Sequence, residues 1–149
     1  MAATVSKKQL KVLLVEDSAL DADLLAASLD GAGYEASIKR VQTAGEMRAA
    51  LERSDWQVIL SDYSLPAFSA PEALAIAQEL QPQIPFIIVS GTVGEDTAVT
   101  ALKAGASDFL VKGRLTRLVP AIERELRDSS VRRAREVERG ALEDRLRQS

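Results

Sequence analysis

Four short runs of almost wholly apolar residues constrain this chain most. They end at the Glu16–Asp17 pair, at Asp62 (after Val58, Ile59, Leu60 and Ser61), at Ser90 and at Lys112. Each is too short for a helix and too uniformly apolar for a half-exposed strand. Such a run reads as a strand buried on both faces, the habit of parallel sheets covered by helices. Parallel strands share one direction, so the polar groups that end them should emerge at one edge of one sheet. Three carboxylates, a hydroxyl and an ammonium would then meet in a small volume.

The spaces between the runs support this arrangement. Strands are expected at Lys11–Val15, Ala36–Val41, Val58–Ser61, Phe86–Ser90 and Asp108–Val111. Helical spacing follows in Ala22, Leu25, Leu29 and Ala32, then in Ala44, Met47 and Leu51. It recurs in Ala73, Ile76 and Leu80, in Ala98 and Leu102, and in Leu115, Leu118, Ile122 and Leu126. Thr43 with Glu46 has the pattern of a capping box, Pro71 suits a helix start, and Gly33 and Gly105 suit helix ends. Alternating β and α units predict a doubly wound α/β fold with five parallel strands, flavodoxin-like, in the order 2-1-3-4-5. In that order the first and third strands are neighbours where the winding reverses, and ligands of open α/β sheets bind in that crevice.

Composition narrows the chemistry. The chain has 149 residues, enough for one domain with a real core, and 46% hydrophobic with 28% charged residues is ordinary for a globular protein. A net charge of -3 and few aromatic residues give no footprint for nucleic acid. No apolar run could span a membrane, and the absence of cysteine suits a reducing cytoplasm. There is no histidine, which removes Ser–His and Cys–His nucleophiles, the usual zinc sites, and any role as a phosphohistidine donor.

What remains is carboxylate, hydroxyl and lysine chemistry. Two like charges about 4 Å apart repel by about 4 kcal/mol at an effective dielectric near 20, so clustered carboxylates raise a pKa or recruit a cation. Oxygen-only ligands point to magnesium, which shares its coordination sphere with phosphate. Lys112 and Ser90 would help to neutralise phosphoryl oxygens, and a carboxylate nucleophile would yield an acyl phosphate.

Val15-Glu16-Asp17, Ser61-Asp62-Tyr63-Ser64-Leu65-Pro66, Val89-Ser90-Gly91 and Phe109-Leu110-Val111-Lys112 together resemble the signature blocks of response-regulator receiver domains from two-component signalling, over roughly Lys11 to Arg127. The resemblance implies that Asp62 is the phosphoacceptor, that Asp17 binds magnesium (or manganese) directly, and that Glu16 binds it directly or through water. Asp62 itself and the backbone carbonyl of Ser64 would complete the protein ligands. It further implies that Ser90 is the switch hydroxyl, Lys112 the phosphate-binding lysine, and Phe109 the aromatic that turns inward with Ser90. Ser64 and Thr92 would tune the lifetime of the phosphoryl group. Ala70, Gly91 and Gly113 depart from the family's commoner glycine, alanine and proline, and none of these changes removes a functional group.

The implied partner is a sensor histidine kinase; receivers with a segment like Gly113–Leu126 accompany such kinases, some of them photoreceptors. The implied output is a change on the face formed by the fourth helix, fifth strand and fifth helix, with partner binding or dimerisation there. No enzymatic activity is implied beyond magnesium-dependent self-phosphorylation and self-dephosphorylation at Asp62. Residues 1–9 read as a lead-in, 10–127 as the receiver, and 128–149 as a charged extension of the last helix, serving as a linker or a dimerisation helix. If helical throughout, that last helix would measure roughly 45 Å. Two other functions fit less of the sequence. A receiver-shaped dimeric scaffold would leave the acidic set without a task, and the detached receiver of a larger sensor kinase or output protein is a further alternative reading. An aspartyl phosphohydrolase would want a second aspartate where Ser64 stands, and no phosphate-binding glycine loop follows the first strand.

Overall fold

The computed structural model describes residues 8–63, 65, 66, 68–91 and 94–148. Five strands, β1 (Lys8–Val15), β2 (Tyr34–Val41), β3 (Val58–Ser61), β4 (Phe86–Ser90) and β5 (Asp108–Val111), form one parallel sheet in the order β2-β1-β3-β4-β5. Between them run α1 (Ala19–Gly31), α2 (Ala44–Arg53), α3 (Ala70–Leu80) and α4 (Glu95–Lys103). A 3-10 helix (Lys112–Arg117) then leads into α5 (Leu118–Gln148). The expected fold class and strand order are those observed.

Side chains alternate across a strand, and here the sheet is dry on both faces at its centre, while the edge strand β2 leaves Glu35, Ser37 and Lys39 exposed. Val12, Leu14, Leu60, Ile87 and Val89 face one layer, where Leu25 and Leu29 of α1 and Leu118 and Ile122 of α5 pack. Leu13, Val15, Ile59, Phe86 and Ile88 face the other, against Met47 and Leu51 of α2, Ala73 and Leu74 of α3, and Ala101 of α4. This two-sided burial is why the central strands carry no polar alternation.

Helix ends follow their local chemistry. The Ser18, Thr43 and Ser69 hydroxyls accept from the backbone N–H groups of Asp21, Glu46 and Glu72, so each supplies an acceptor to an otherwise unpaired donor. Gly33 (φ 91) and Gly105 (φ 118) take the left-handed conformation that follows α1 and α4.

The expectations need correction in four places. β1 starts at Lys8 and β2 at Tyr34, because Lys8 and Gln9 pair with Tyr34 and Glu35, and the Gln9 amide donates to the Glu35 carboxylate at 2.8 Å. Ala32 is the C-terminal cap of α1 and not a packed helical position. In α4 the buried residue is Ala101, while Leu102 is exposed, so the helix is turned by one position from the expected stripe. Leu115 lies in the 3-10 helix, and α5 proper begins at Leu118.

α5 is held to the domain as far as Ser129, which is buried and donates to the Gln83 carbonyl at 3.3 Å. From residue 130 to 148 every described side chain is exposed. No described helix is long and apolar enough to cross a membrane. Leu60 lies in β3 at the centre of the sheet, so Leu60→Ala should lower unfolding stability by about 2–5 kcal/mol through lost burial and a residual cavity. Urea denaturation checks this.

Candidate functional site

Strand register brings the acids together. Val15 of β1 pairs with Ser61 of β3, and the Asp62 N–H donates to the Val15 carbonyl at 2.9 Å. Glu16 and Asp62 therefore leave adjacent strands side by side. Oxygens from Glu16, Asp17 and Asp62 all lie within 4.8 Å of one another. On the far side, Ser90 pairs with Val111, the residue before Lys112, so the ends of β4 and β5 reach the same edge.

Lys112 closes the group. Its Nζ donates to Glu16 Oε1 at 2.7 Å, to Asp21 Oδ2 at 2.5 Å and to Asp62 Oδ2 at 3.3 Å. Glu16 is only 1% exposed, and its Oε2 also accepts from the Asp17 and Ser18 N–H groups at 3.1 and 3.4 Å. Burial drives the Glu16 carboxyl above the ordinary glutamate value and the charge of Asp62 adds to this, while the Lys112 ammonium works in the opposite direction. For Lys112, burial would favour the neutral amine. Hydrogen bonds to Asp21 and Glu16, with the charges of Glu16 and Asp62, outweigh it and raise the pKa.

The expected site residues Glu16, Asp17, Asp62 and Lys112 are thus gathered, and Ser90 ends its strand at the same edge, buried at 5%. Phe109 is half-buried, with its ring 6.2 Å from that of Tyr63 at an interplanar angle of 50°. Tyr63 directly follows Asp62, so this ring pair links the acid edge to β5. Ser64 and Thr92 lie outside the described residues. Two participants were not anticipated. Asp21 reaches the ammonium from the first turn of α1, where the pattern Ser18-x-x-Asp21 signals only a helix cap. Arg40 of β2 donates from Nη1 to the Glu16 and Asp17 carbonyls at 3.3 and 3.2 Å, and a lone arginine in an edge strand carries no sequence signal for that.

Chemically, the donor set is oxygen only, clustered and mostly anionic. It fits a hard divalent cation of the magnesium type, with Glu16, Asp17 and Asp62 as its holders. With the ammonium beside it, the edge is suited to gather a dianionic phosphoryl group.

Residues 12–123 match the response regulator receiver domain family, and the chain belongs to that family. Within it, the chain is similar to the alginate biosynthesis transcriptional regulatory protein AlgB of Pseudomonas aeruginosa, 31% identical over 147 residues, covering 97% of this chain and 31% of that protein. Among solved structures it is similar to a CheY-like response regulator receiver domain protein of Methanospirillum hungatei JF-1 (TM-score 0.71, 30% identity, 85% of this chain and 99% of that one). It is also similar to the beryllofluoride-activated NtrC4 receiver domain dimer (TM-score 0.71, 27% identity, 80% of this chain and 98% of that one). The chain spans about a quarter of the length of the first curated relatives it matches. It is a receiver domain of two-component response regulators.

The Glu16–Lys112 pair sets a pH dependence. A carboxyl whose pKa is raised on folding holds its proton more tightly in the folded state. Its contribution to stability is therefore full below the unfolded value of 4.5 and is lost as pH rises through the folded value. Removing the ammonium enlarges that loss. Lys112→Met should cost about 2 kcal/mol at pH 7, the scale of a buried charge left without its hydrogen-bond partner. The difference from the wild type should shrink as pH falls toward 4.5 and Glu16 takes up its proton. Denaturation midpoints measured across that range check the sign.

Proposed function

We propose that the protein is a phosphorylation-switched receiver in which Asp62 accepts a phosphoryl group from a phosphohistidine of a partner sensor histidine kinase. The observation that carries this reading is the meeting of Asp62, Glu16, Asp17 and the Lys112 ammonium at one sheet edge. In the transfer an Oδ of Asp62 forms the new O–P bond while the N–P bond of the donor breaks, and the electron pair returns to the imidazole nitrogen. A magnesium or manganese ion held by Glu16, Asp17, Asp62 and the Ser64 carbonyl would supply positive charge to the phosphoryl oxygens when bound. Lys112, already 3.3 Å from Asp62, orients and neutralises the same oxygens.

The readout assigned to Ser90 and Phe109 has support in packing. The Ser90 hydroxyl ends its strand beside the lysine strand, and an apolar cavity of ≈ 80 Å³ lies next to Tyr63, lined also by Ile88, Thr97 and Ala101. That space gives the Tyr63 ring, which packs against Phe109, room to rearrange when Ser90 turns to a phosphoryl oxygen. The change would then reach the face of α4, β5 and α5, where Val99, Leu102 and Val111 are exposed. In this reading residues 10–127 form the receiver, Ser64 and Thr92 tune phosphoryl lifetime, and the protein works in the cytoplasm. It resembles receivers that accompany sensor kinases, including photoreceptors. Its relatives are transcriptional regulators several times longer, so an output segment joined through residues 128–149 is one route for the signal.

With magnesium and a small acyl phosphate, the intact wild-type mass should gain one phosphate and Asp62→Asn none. No gain in the wild type, or an equal gain in the variant, overturns the assignment.

A second reading, a dimeric scaffold, is favoured by one observation: Val131, Val137, Leu142 and Leu146 stand exposed on the part of α5 that leaves the domain. The switched receiver predicts that beryllofluoride changes the sedimentation of the full chain or its binding to partners. Identical dimers with and without it, and unchanged partner binding, would favour the scaffold.

A further inference from the structure

Asp21 has no part in the transfer described above, yet it makes the shortest contact of the site. An ammonium has three N–H bonds, and in Lys112 each finds a carboxylate: Asp21 at 2.5 Å, Glu16 at 2.7 Å and Asp62 at 3.3 Å. The amine is thus drawn toward α1 and stands furthest from the acid that receives the phosphoryl group. A phosphoryl group on Asp62 brings new acceptor oxygens to an amine with no N–H to spare. One existing bond must then be surrendered.

The surroundings decide which. Glu16 is 1% exposed, so water cannot take the place of the lysine hydrogen bond on its Oε1, and a buried polar oxygen left unpaired is costly. The Asp21 side chain is 33% exposed, so water can replace the lysine. We propose that Asp21 is a positioning residue that holds Lys112 back from Asp62, and that phosphoryl binding breaks the Lys112–Asp21 pair. This rests on reading Asp62 as the phosphoacceptor. Asp21 then opposes occupancy of Asp62, setting how readily the site fills without touching the phosphoryl group. Because Asp21 lies in the first turn of α1, between the exposed Leu20 and Leu24, its release also carries the state of Asp62 to that helix.

The test is the affinity of the full chain for beryllofluoride, a phosphoryl mimic, in excess magnesium, followed by calorimetry. Asp21→Asn should bind about fivefold more tightly than the wild type, the ratio matching a partly exposed ion pair of about 1 kcal/mol. Asp21→Ala, which offers the amine no acceptor, should tighten binding by at least as much. Asp23→Asn removes the same charge from an exposed position two residues away and should leave the affinity near wild type. A residue with only a structural role would, when replaced, lower the melting temperature and leave affinity unchanged or weaker. Unchanged or weaker binding by both Asp21 variants overturns the proposal, as does equal tightening by Asp23→Asn, which would make the effect one of net charge. Failure of the wild type to bind, or equal binding by Asp62→Asn, removes the phosphoacceptor reading itself and the proposal with it.

Discussion

An ionised glutamate at almost complete burial is unfavourable, and the arrangement of this edge follows from how that charge is accommodated. Glu16 sits where β1 ends, and no water reaches it freely. The Lys112 ammonium, delivered from β5 two strands beyond β3, and two backbone N–H groups at the start of α1 make its charge tolerable. The same ammonium is then unavoidably close to Asp62, because parallel register has already placed Asp62 beside Glu16. A structural requirement and a chemical capacity are thus met by one side chain. A hard cation would relieve the remaining acid–acid repulsion, and in the proposed function the same edge would then receive a phosphoryl group.

The sheet makes this convergence reproducible. Each of the central strands is buried on both faces, so a slip of register would expose apolar side chains or bury polar ones. The positions of Glu16, Asp62 and Ser90 at their strand ends are consequently fixed by hydrophobic packing far from the site itself, and Lys112 follows through the pairing of the edge strand β5 with β4. The chemistry is carried by loops, and its precision comes from the core.

The parts of the fold read most faithfully from sequence are those where burial alone decides. β3, β4 and β5 begin and end where their apolar runs do, and the capping hydroxyl of Thr43 and the left-handed Gly33 and Gly105 stand where local chemistry requires them. The edge was harder to read. The first residues of β1, Lys8 and Gln9, are polar and exposed, and β2 opens on the buried Tyr34 and the exposed Glu35; these ends are held by backbone pairing and by a Gln9–Glu35 bond that leave no mark in hydrophobic pattern. The sparse apolar content of α4 makes its rotation hard to read, and Ala101 packs where the spacing predicts Leu102. In the site, the four groups at strand ends were legible because strand direction alone unites them. Asp21 and Arg40 were not, since each reaches the site through side-chain geometry, and an acid in a helix's first turn or an arginine on an edge strand ordinarily means solvation or dipole balance.

The most direct test of the account is chemical mapping of the phosphorylated side chain. After treatment with magnesium and an acyl phosphate, borohydride reduction converts an aspartyl phosphate to homoserine, and peptide mass spectrometry locates it. Homoserine at position 62 alone is the predicted result. Homoserine at position 17 or 21, or none anywhere in the chain, would contradict the account.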